Sequence, residues 1–460
     1  MRISVFRNTK RFLAGQMLKA AFSYIGKDPA ANLPKLLHLA KLAALQQKHR
    51  RQIDELRSTL ENNQVIYAYA VHLLRHTHPN IKKRLLYNWF VSNILFGVPE
   101  QQAMTRKLGL SIPNAILVDP TSACNLRCEG CWAGKYAHNN SISPERLDRL
   151  FGEAEALGIR WIVFSGGEPL LYPKLFELLA KHPALAFMAY TNGTLIDEKM
   201  ADKIVTVGNF TPAISLEGWR ERTDARRGSG VFDKVMRAMD LLRERGAVFG
   251  VSLTATRYNV EEITSDAFID FLVEKGVTYG WIFHYIPVGR NPNLDMMITP
   301  EQRAYMAGRI PYIRSHKPLM LADFWNDGAL TEGCIAGGRR YFHINAAGEV
   351  EPCAFAHFAV DNINDKSLLE VLRSPFFAGF QKRQPFNPNH LRPCPVIDNP
   401  EALREIIREC GARPTHAGAE AVLEGTTAAY LDRRAAEWGA IADGLWEART
   451  ARQKTGTAGA

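Results

Sequence analysis

The chain has 460 residues, of which 46% are hydrophobic and 23% charged, so it is long enough for two or three folded modules and ordinary in composition for a globular protein. Its net charge of +10 is concentrated at one end, because residues 1–110 hold 18 Lys and Arg against 5 Asp and Glu, which leaves −3 for the other 350 residues. The sequence contains no run of about 18 apolar residues and no compact apolar stretch with a cleavage site at its N-terminus, so neither a spanning helix nor a secretory signal is expected.

Residues 1–110 are predicted to form a basic, amphipathic helical segment. Apolar residues between Ile3 and Tyr24 follow helical spacing, and an aromatic and basic patch covers residues 82–96. Two compatible interpretations stay open for this segment. It is either an anchor that docks on an anionic membrane surface through residues 1–96, or a helical cap that packs on the domain that follows.

Residues 111–316 alternate short apolar strands with amphipathic helices, which predicts an α/β fold with a parallel sheet and right-handed crossovers. The predicted strands are Ala115–Val118, Trp161–Phe164, Ala186–Tyr190, Pro212–Leu216, Phe249–Leu253 and Tyr279–Phe283. Six such units make a partial (β/α)6 TIM-type barrel. The chemistry of such barrels lies at the C-terminal ends of the strands.

From about Lys317 the alternation is expected to stop. Tyr341–Ile344 and Glu349–Glu351, separated by Asn345-Ala-Ala-Gly348, predict a β-hairpin within a small α+β domain over residues 317–400. Residues 401–460 are predicted to be helices followed by a disordered small-residue tail.

The segment Cys124-Asn-Leu-Arg-Cys128-Glu-Gly-Cys131 carries three cysteines in a C-x₃-C-x₂-C spacing. A structural zinc site would favour a C-x₂-C pair matched by a second pair, which this segment lacks. Three thiolates on a short loop suit a cubane cluster, because they bind three irons and leave the fourth open. With its place after the first strand and the motifs downstream, the segment resembles the cluster motif of the radical S-adenosylmethionine (SAM) superfamily, and this resemblance runs through residues 115–290.

The resemblance implies an enzyme that cleaves SAM reductively at a [4Fe–4S] cluster and uses the 5′-deoxyadenosyl radical to abstract hydrogen from an unactivated C–H bond. It implies Cys124, Cys128 and Cys131 as the cluster ligands. It further implies an electron donor such as flavodoxin or ferredoxin. An oxygen-sensitive cluster requires a reducing compartment, so a cytoplasmic location, peripheral to the membrane, is expected.

The same resemblance assigns SAM contacts to the strand ends. Gly166, Gly167 and Glu168 correspond to the motif for the SAM amino group, and Arg227, on a loop over residues 224–232, to the partner of the SAM carboxylate. Further expected contacts are Trp132, Asn192, Ser215, Glu217, Ser252, Thr254 and Pro287. One departure concerns Gly130, because the family usually has an aromatic residue immediately before the third cysteine.

Cys334 and Cys353 bracket the predicted hairpin in a pattern that resembles the opening of SPASM/twitch extensions, which hold auxiliary [4Fe–4S] clusters. The count of cysteines supports one such second cluster. Cys394 is the expected third ligand. Cys410 is the weakest candidate for the fourth ligand. Three alternatives stay open: Cys410 is the fourth ligand, a non-cysteine group is the fourth ligand, or the fourth iron has no protein ligand.

Three classes of substrate stay open at this point. The basic N-terminal segment favours a membrane lipid, such as an acyl chain or isoprenoid. The SPASM/twitch resemblance favours modification of a ribosomally made peptide. A non-catalytic iron–sulfur or RNA-binding protein is the third alternative, although no RNA-binding module is recognised and nucleic acid is not an expected partner.

Overall fold

The computed structural model describes residue 24, residues 28–43 and residues 47–454 of the chain. The predicted amphipathic helix between Ile3 and Tyr24 and the predicted tail at 455–460 lie outside these residues, apart from Tyr24 itself. No helix within the described ranges is both long and apolar enough to cross a membrane.

The described part of the N-terminal segment is helical throughout. Its elements are α1 (Pro29–Ala43), α2 (Gln47–Asn62), α3 (Gln64–His76), α4 (Pro79–Ile81), a π-helical segment (Lys82–Gly97) and α5 (Val98–Leu108). Asn63 caps α3 by accepting hydrogen bonds from the backbone N–H groups of Val65 and Ile66, both at 3.0 Å. Gly109 ends α5 in a left-handed conformation.

These helices cover the amino-terminal ends of the barrel strands. The Trp89 ring packs edge-on against Trp161 and Tyr279, with centroid distances of 5.7 and 6.2 Å. Asn88 donates hydrogen bonds to the carbonyl oxygens of Pro183 and Leu185, at 2.9 Å each. The described helices therefore act as a cap on the barrel, which is one of the two interpretations that the sequence allows.

Seven parallel strands form the barrel sheet in chain order. They are β1 (Ala115–Val118), β2 (Trp161–Phe164), β3 (Ala186–Thr191), β4 (Phe210–Leu216), β5 (Gly250–Ala255), β6 (Tyr279–His284) and β7 (Met320–Asp323). The helices between them are α6 (Pro144–Leu157), α7 (Leu175–Lys181), α8 (Glu198–Val207), α9 (Arg220–Arg227), α10 (Val231–Glu244), α11 (Val260–Ile263), α12 (Asp266–Glu274) and α13 (Pro300–His316). The α/β barrel is thus confirmed, and β7 adds a seventh strand beyond the predicted end of the alternation.

The predicted hairpin is present and joins the barrel sheet. β8 (His343–Ile344) pairs antiparallel with β9 (Glu349–Glu351) and parallel with β1. β11 (Asp361–Asn362) extends the sheet beyond β9, so the described sheet runs from β11 to β7 and is open at both edges.

The remaining C-terminal elements pack around the hairpin and the barrel mouth. They are α14 (Gly328–Thr331), β10 (Phe358–Ala359), α15 (Leu368–Leu372), α16 (Pro375–Arg383), α17 (Pro400–Cys410), β12 (Arg413–Pro414) and α18 (Gly425–Lys454). β10 and β12 form a separate two-stranded antiparallel ladder. The predicted helices of the last sixty residues are present as α17 and α18.

The interior of the barrel is not filled by side chains. Along β5 and β6 the residues that alternate toward the axis are Ser252, Thr254, Trp281 and Phe283, and these are partly exposed whereas their neighbours on the same strands are buried. In a packed barrel the inward-facing residues would be the more buried ones. This reversal of the usual burial pattern indicates a cavity along the barrel axis.

Candidate active site

The loop between β1 and α6 carries Cys124, Cys128 and Cys131 and is fixed at its start by the end of β2. Gly167 donates a backbone hydrogen bond to Thr121 O at 3.1 Å, and Glu168 donates one to Ala123 O at 2.8 Å. A Cβ atom at Gly167 would lie 2.1 Å from Ala123 O, so only glycine allows this approach. The GGEP motif therefore holds the backbone that leads into Cys124.

One strand end and one helix end hold the middle of this cysteine loop. Asn192, after β3, donates from Nδ2 to Asn125 Oδ1 at 2.8 Å. At the end of α9, Arg226 donates from Nε to Glu129 O at 3.2 Å, and the Glu129 N–H donates back to Arg226 O at 2.9 Å. Because the loop is tied to separate elements, its three thiols have fixed relative positions.

The turn that contains Pro287 contacts the end of the same loop. The Arg290 N–H donates to Cys131 O at 2.9 Å, and Gly289 packs against the backbone of Cys131 and Trp132. The turn therefore lies next to Trp132. The resemblance implies this proximity, because it assigns SAM contacts to both Pro287 and Trp132.

The glycine at position 130 is explained by a close contact with Tyr285, which belongs to another part of the chain. Its φ angle is +58°, and a Cβ atom there would lie 2.6 Å from Cε2 of Tyr285. Tyr285 follows β6, is 2% exposed, and receives a hydrogen bond on its hydroxyl oxygen from the Asn293 N–H at 3.0 Å. An aromatic ring therefore stands beside the third cysteine after all, and it comes from β6 instead of the cysteine loop.

A cavity of about 350 Å³ begins at the cysteine loop and extends into the barrel. Most of the residues expected from the sequence lie in its wall: Cys124, Cys128, Cys131, Trp132, Gly166, Gly167, Asn192, Ser215, Arg227, Ser252 and Thr254. The strand ends thus bring together residues that are far apart in the sequence. Glu168, Glu217 and Pro287 lie behind this wall.

Glu168 is fully buried and directed into the protein. Its Oε1 accepts hydrogen bonds from Thr191 Oγ1 at 2.7 Å and Leu170 N at 3.0 Å, and its Oε2 accepts one from Asn192 N at 2.7 Å. Burial raises the pKa of its carboxyl group, although these three donors oppose the rise. In this arrangement Glu168 holds the ends of β2 and β3 together.

Arg227 belongs to the last turn of α9 and not to the expected loop, since the helix continues until Gly228. Its Nε and Nη2 donate to Glu217 Oε1 at 2.8 and 2.6 Å, and Arg226 Nη1 donates to the same oxygen at 2.7 Å. Glu217 Oε2 is buried and has no hydrogen-bond partner in the described structure. The unpaired acceptor thus lies behind Arg226 and Arg227, both of which line the cavity.

The thiols of the cysteine loop fit a cluster better than a single ion. Burial raises the pKa of the Cys124 thiol to about 11 and also raises that of Cys131. The positive charge of bound iron is therefore what would hold them as thiolates. Across the described ranges no three His, Cys, Asp or Glu side chains are arranged for one metal ion.

Aromatic side chains make up the walls deeper in the cavity. The Trp161 and Trp281 ring centroids lie 6.1 Å apart, and Phe283 lies 5.3 Å from Tyr190 and 5.2 Å from Phe324. All five residues line the cavity. The space beyond the cysteine loop therefore suits a ligand with a large apolar body.

The Tyr341 hydroxyl contacts one of the other cysteines. Tyr341 donates from Oη to Cys353 Sγ at 2.7 Å. The pKa of Tyr341 is raised first by burial and then by the nearby thiol groups of Cys353, Cys334 and Cys394. Of the three cysteines expected to bind the auxiliary cluster, Cys353 therefore contacts Tyr341 directly.

Cys410 has a different environment. It ends α17, and its Sγ lies 3.5 Å from Pro375 O at the start of α16. Cys410 is the weakest candidate ligand from the sequence, and this contact does not identify the fourth ligand of the auxiliary cluster.

Two titratable groups near the cavity were not identified from the sequence. The first, His343, is fully buried between Asp119 and Glu351, with Nε2 3.0 Å from Asp119 Oδ1 and Nδ1 2.6 Å from Glu351 Oε2. Burial alone would lower the pKa of His343, but the two carboxylates outweigh it and raise the pKa to about 10. This imidazolium links β1 to the hairpin.

The second group is His284 at the end of β6. It lines the cavity, stacks on Trp325 at 5.1 Å, and its Nε2 lies 3.2 Å from Asp323 Oδ1 at the end of β7. Both ring nitrogens of His284 are buried and have no hydrogen-bond partner in the described structure. Its position directly after a predicted strand is the signal that sequence analysis could have used.

Comparison with known proteins agrees with this site. The family model described as the radical SAM superfamily matches residues 118–267, and the model described as an iron–sulfur cluster-binding domain, SPASM, matches residues 334–395. The expected extension is thus confirmed, and the chain binds SAM, a [4Fe–4S] cluster and, through the SPASM domain, additional iron–sulfur.

The chain is 34% identical over 192 residues to an Fe-coproporphyrin III synthase of Methanosarcina barkeri, a match that covers 40% of this chain and about half, 48%, of that protein. It is 23% identical over 349 residues to an AdoMet-dependent heme synthase of the same organism, covering 70% and 95% of the two chains.

Among solved structures, Streptococcus suis SuiB bound to the precursor peptide SuiA matches with a TM-score of 0.55 at 17% identity, covering 72% of this chain and 78% of that chain. At this identity the match supports the fold alone. Together with the cysteine loop and the glycine-lined strand ends, the family models show that the chain is a member of the radical SAM superfamily with a SPASM domain after its barrel.

Proposed function

We propose that this chain uses a [4Fe–4S] cluster bound by Cys124, Cys128 and Cys131 to activate a C–H bond in a substrate with a large apolar body. The observation that carries the proposal is that the three cysteines and the aromatic side chains line one continuous cavity. A radical generated at the cysteine loop would thus meet a substrate in the same water-poor space.

A [4Fe–4S] cluster held by Cys124, Cys128 and Cys131 would supply the electron for the reductive cleavage of SAM. The protein orients SAM for this step. Gly166 and Gly167 let the end of β2 lie against the backbone that leads into Cys124, and Glu168 positions Asn192. Arg227, beside Glu217, offers a guanidinium for the SAM carboxylate. Ser215, Ser252 and Thr254 supply hydroxyl groups in the wall for the ribose, and Trp132, Pro287 and Tyr285 flank the adenine.

Cys334, Cys353 and Cys394 are proposed to bind the auxiliary cluster. Burial raises the pKa of the Cys334 thiol to about 11 and that of Cys353 to about 12, so these groups also require bound iron to become thiolates. Tyr341 contributes both to the wall of the cavity and to the surroundings of Cys353. The SPASM domain would therefore sit beside the substrate.

Two substrate types fit the aromatic cavity. One is a membrane lipid with an acyl or isoprenoid chain, for which the basic residues 1–96 would provide contact with an anionic surface. The other is a tetrapyrrole, since the curated relatives include an Fe-coproporphyrin III synthase and heme synthases. A peptide remains the alternative, and its extended backbone would need hydrogen-bond partners that an aromatic wall offers less readily.

Formation of 5′-deoxyadenosine by anaerobically reconstituted protein tests the proposal. With SAM and a reductant, wild-type protein is expected to hold about eight irons and form 5′-deoxyadenosine. Cys124→Ala should abolish the product. Cys353→Ala should lower the iron content while SAM cleavage at the first cluster persists. If Cys124→Ala forms 5′-deoxyadenosine at the wild-type rate, the cluster assignment is wrong.

A further inference from the structure

The cavity has two chemically different ends. One end is formed by the cysteine loop, which follows β1. The other reaches Asn114 and Ala115 at the start of β1, together with Trp161, the first residue of β2. Because a strand rises about 3.3 Å per residue, the four residues of β1 separate these ends by about 13 Å.

Arg340 lies at the end far from the cysteine loop. Its carbonyl oxygen accepts hydrogen bonds from the backbone N–H groups of Asn114 at 2.8 Å and Ala115 at 3.1 Å, and its own N–H donates to Ile335 O at 2.9 Å. The residue immediately before β8 is thereby fixed to the first residues of β1. The side chain starts from a rigid backbone and contributes to the cavity wall.

The guanidinium of Arg340 is incompletely paired in the described structure. Its Nε is buried and has no hydrogen-bond partner. Its Nη2 lies 3.5 Å from Glu332 Oε2, a contact between side chains that are 42% and 76% exposed and therefore weak. The other two arginines in the described wall, Arg226 and Arg227, lie at the cysteine end, so Arg340 is a separate positive group.

We propose that Arg340 is a binding site for a carboxylate at the distal end of the substrate. A guanidinium can donate two parallel hydrogen bonds to a carboxylate, and the buried Nε of Arg340 has no partner for such a bond in the described structure. The inference rests on the proposed function, and it narrows the substrate to an amphiphile whose reacting carbon lies on the order of 13 Å from its carboxylate.

A carboxylate attached to a large apolar body occurs both in fatty acids and in tetrapyrroles with carboxylate side chains. Binding measurements distinguish these two classes of ligand. We would use full-length, anaerobically reconstituted protein with SAM present, and measure dissociation constants for hexadecanoate, for hexadecan-1-ol as the neutral counterpart, and for Fe-coproporphyrin III. The variants are Arg340→Gln, Arg340→Lys and Glu332→Gln. Arg373→Gln, which removes an exposed arginine outside the cavity wall, is the matched control.

Arg340→Gln is expected to weaken binding of the carboxylate ligand by about tenfold or more and to leave hexadecan-1-ol within about twofold. Arg340→Lys should fall between wild type and Gln, because a lysine keeps the charge without the paired donors. Glu332→Gln should tighten carboxylate binding, since it removes the competing anion. Tight binding of hexadecanoate supports an acyl source, and tight binding of the porphyrin alone supports a tetrapyrrole.

The inference would be overturned by equal carboxylate affinity in Arg340→Gln and wild type, by an equal loss of affinity for hexadecan-1-ol, or by weaker carboxylate binding in Glu332→Gln. Absence of binding of both carboxylates by wild type would also overturn it. Formation of 5′-deoxyadenosine is measured in the same samples, so a failure of this site is distinguishable from a failure of SAM cleavage.

Discussion

At the scale of single residues, Gly130 replaces the aromatic residue that the family usually has before the third cysteine, and Tyr285 supplies an aromatic ring beside this position. The sequence marked Gly130 as a departure from the family pattern. It offered no way to find Tyr285, because that contact depends on how the end of β6 approaches the cysteine loop. A side chain at position 130 and the ring of Tyr285 would occupy the same space.

Replacing Gly130 by alanine is expected to destabilise the protein by more than the backbone term of about 1–2 kcal/mol for a left-handed residue, because its Cβ would also meet the Tyr285 ring. Gly109→Ala is the control, since Gly109 has a φ of +67° and no heavy atom within 4 Å of the added Cβ. Chemical unfolding measures both free energies. Equal losses at the two positions would show that Tyr285 does not restrict Gly130.

Tyr341→Phe is expected to make the midpoint potential of the auxiliary cluster more negative. The hydroxyl donates a hydrogen bond to Cys353 Sγ, and such bonds stabilise the reduced, more negatively charged cluster. A redox titration followed by electron paramagnetic resonance measures the potential. Tyr190→Phe, which removes another hydroxyl from the cavity wall, should leave it unchanged. An unchanged potential in Tyr341→Phe would rule out the hydrogen bond to a ligand.

At the scale of elements, the junction between β1 and the hairpin depends on the buried His343. Parallel pairing of β8 with β1 brings this side chain between Asp119, which follows β1, and Glu351 at the end of β9. Sequence analysis found the hairpin from its turn residues. It could not find the pairing with β1, because that pairing is set by tertiary packing.

The pH dependence of unfolding should report this junction. The pKa of His343 is about 10 in the folded protein against 6.5 for an unperturbed histidine, so its stabilising effect is complete below pH 6.5 and is lost as the pH rises toward 10. His343→Gln should therefore cost about 3–5 kcal/mol near pH 6.5, and the difference from wild type should shrink toward pH 10. A difference that does not vary with pH would contradict the imidazolium.

Other elements show where sequence periodicity was sufficient and where it was not. The expected alternation of strands with amphipathic helices is present, as in α6 (Pro144–Leu157), which Ser143 caps and Gly158 terminates. The strand β7 was missed because Met320–Asp323 follows the expected end of the alternation near Lys317 and precedes a segment without helical periodicity. The last turn of α9 was taken for a loop since Gly228 and Gly230 follow it closely.

At the scale of the whole molecule, strand order explains why the site was predictable in outline. Motifs that end successive parallel strands must meet at one edge of the sheet, so the sequence indicated the SAM residues as a group. It could not indicate the empty barrel axis, the aromatic wall or Arg340 at its far end, because these depend on which residues face inward. The boundaries at residues 110, 316 and 400 stay predictions.

A basic groove of about 430 Å³ on the outer side of the cysteine loop suggests where an acidic electron carrier would dock. It is lined by Arg127, Arg226 and Arg290 beside Cys128. Arg127→Glu is expected to slow reduction of the cluster by flavodoxin at low salt, with the difference decreasing as salt is added. Stopped-flow spectroscopy measures the rate. Arg373→Glu, the same charge change outside the groove, should behave as wild type, and equal rates for both variants would exclude the groove.

Association of residues 1–96 with a membrane is a separate prediction. Flotation with anionic liposomes should retain the full chain and lose a variant without residues 1–30, because that deletion removes much of the basic amphipathic segment. Equal flotation of the two proteins would exclude an anchor in these residues.

Transfer of deuterium tests most directly whether the cysteine loop and the aromatic cavity form one active site. Reconstituted protein would be incubated with SAM, a reductant and either perdeuterated hexadecanoate or deuterated Fe-coproporphyrin III, and the 5′-deoxyadenosine analysed by mass spectrometry. The account predicts deuterium in 5′-deoxyadenosine from one of these apolar-bodied carboxylates. Unlabelled 5′-deoxyadenosine with both compounds, together with label from a deuterated peptide, would contradict it.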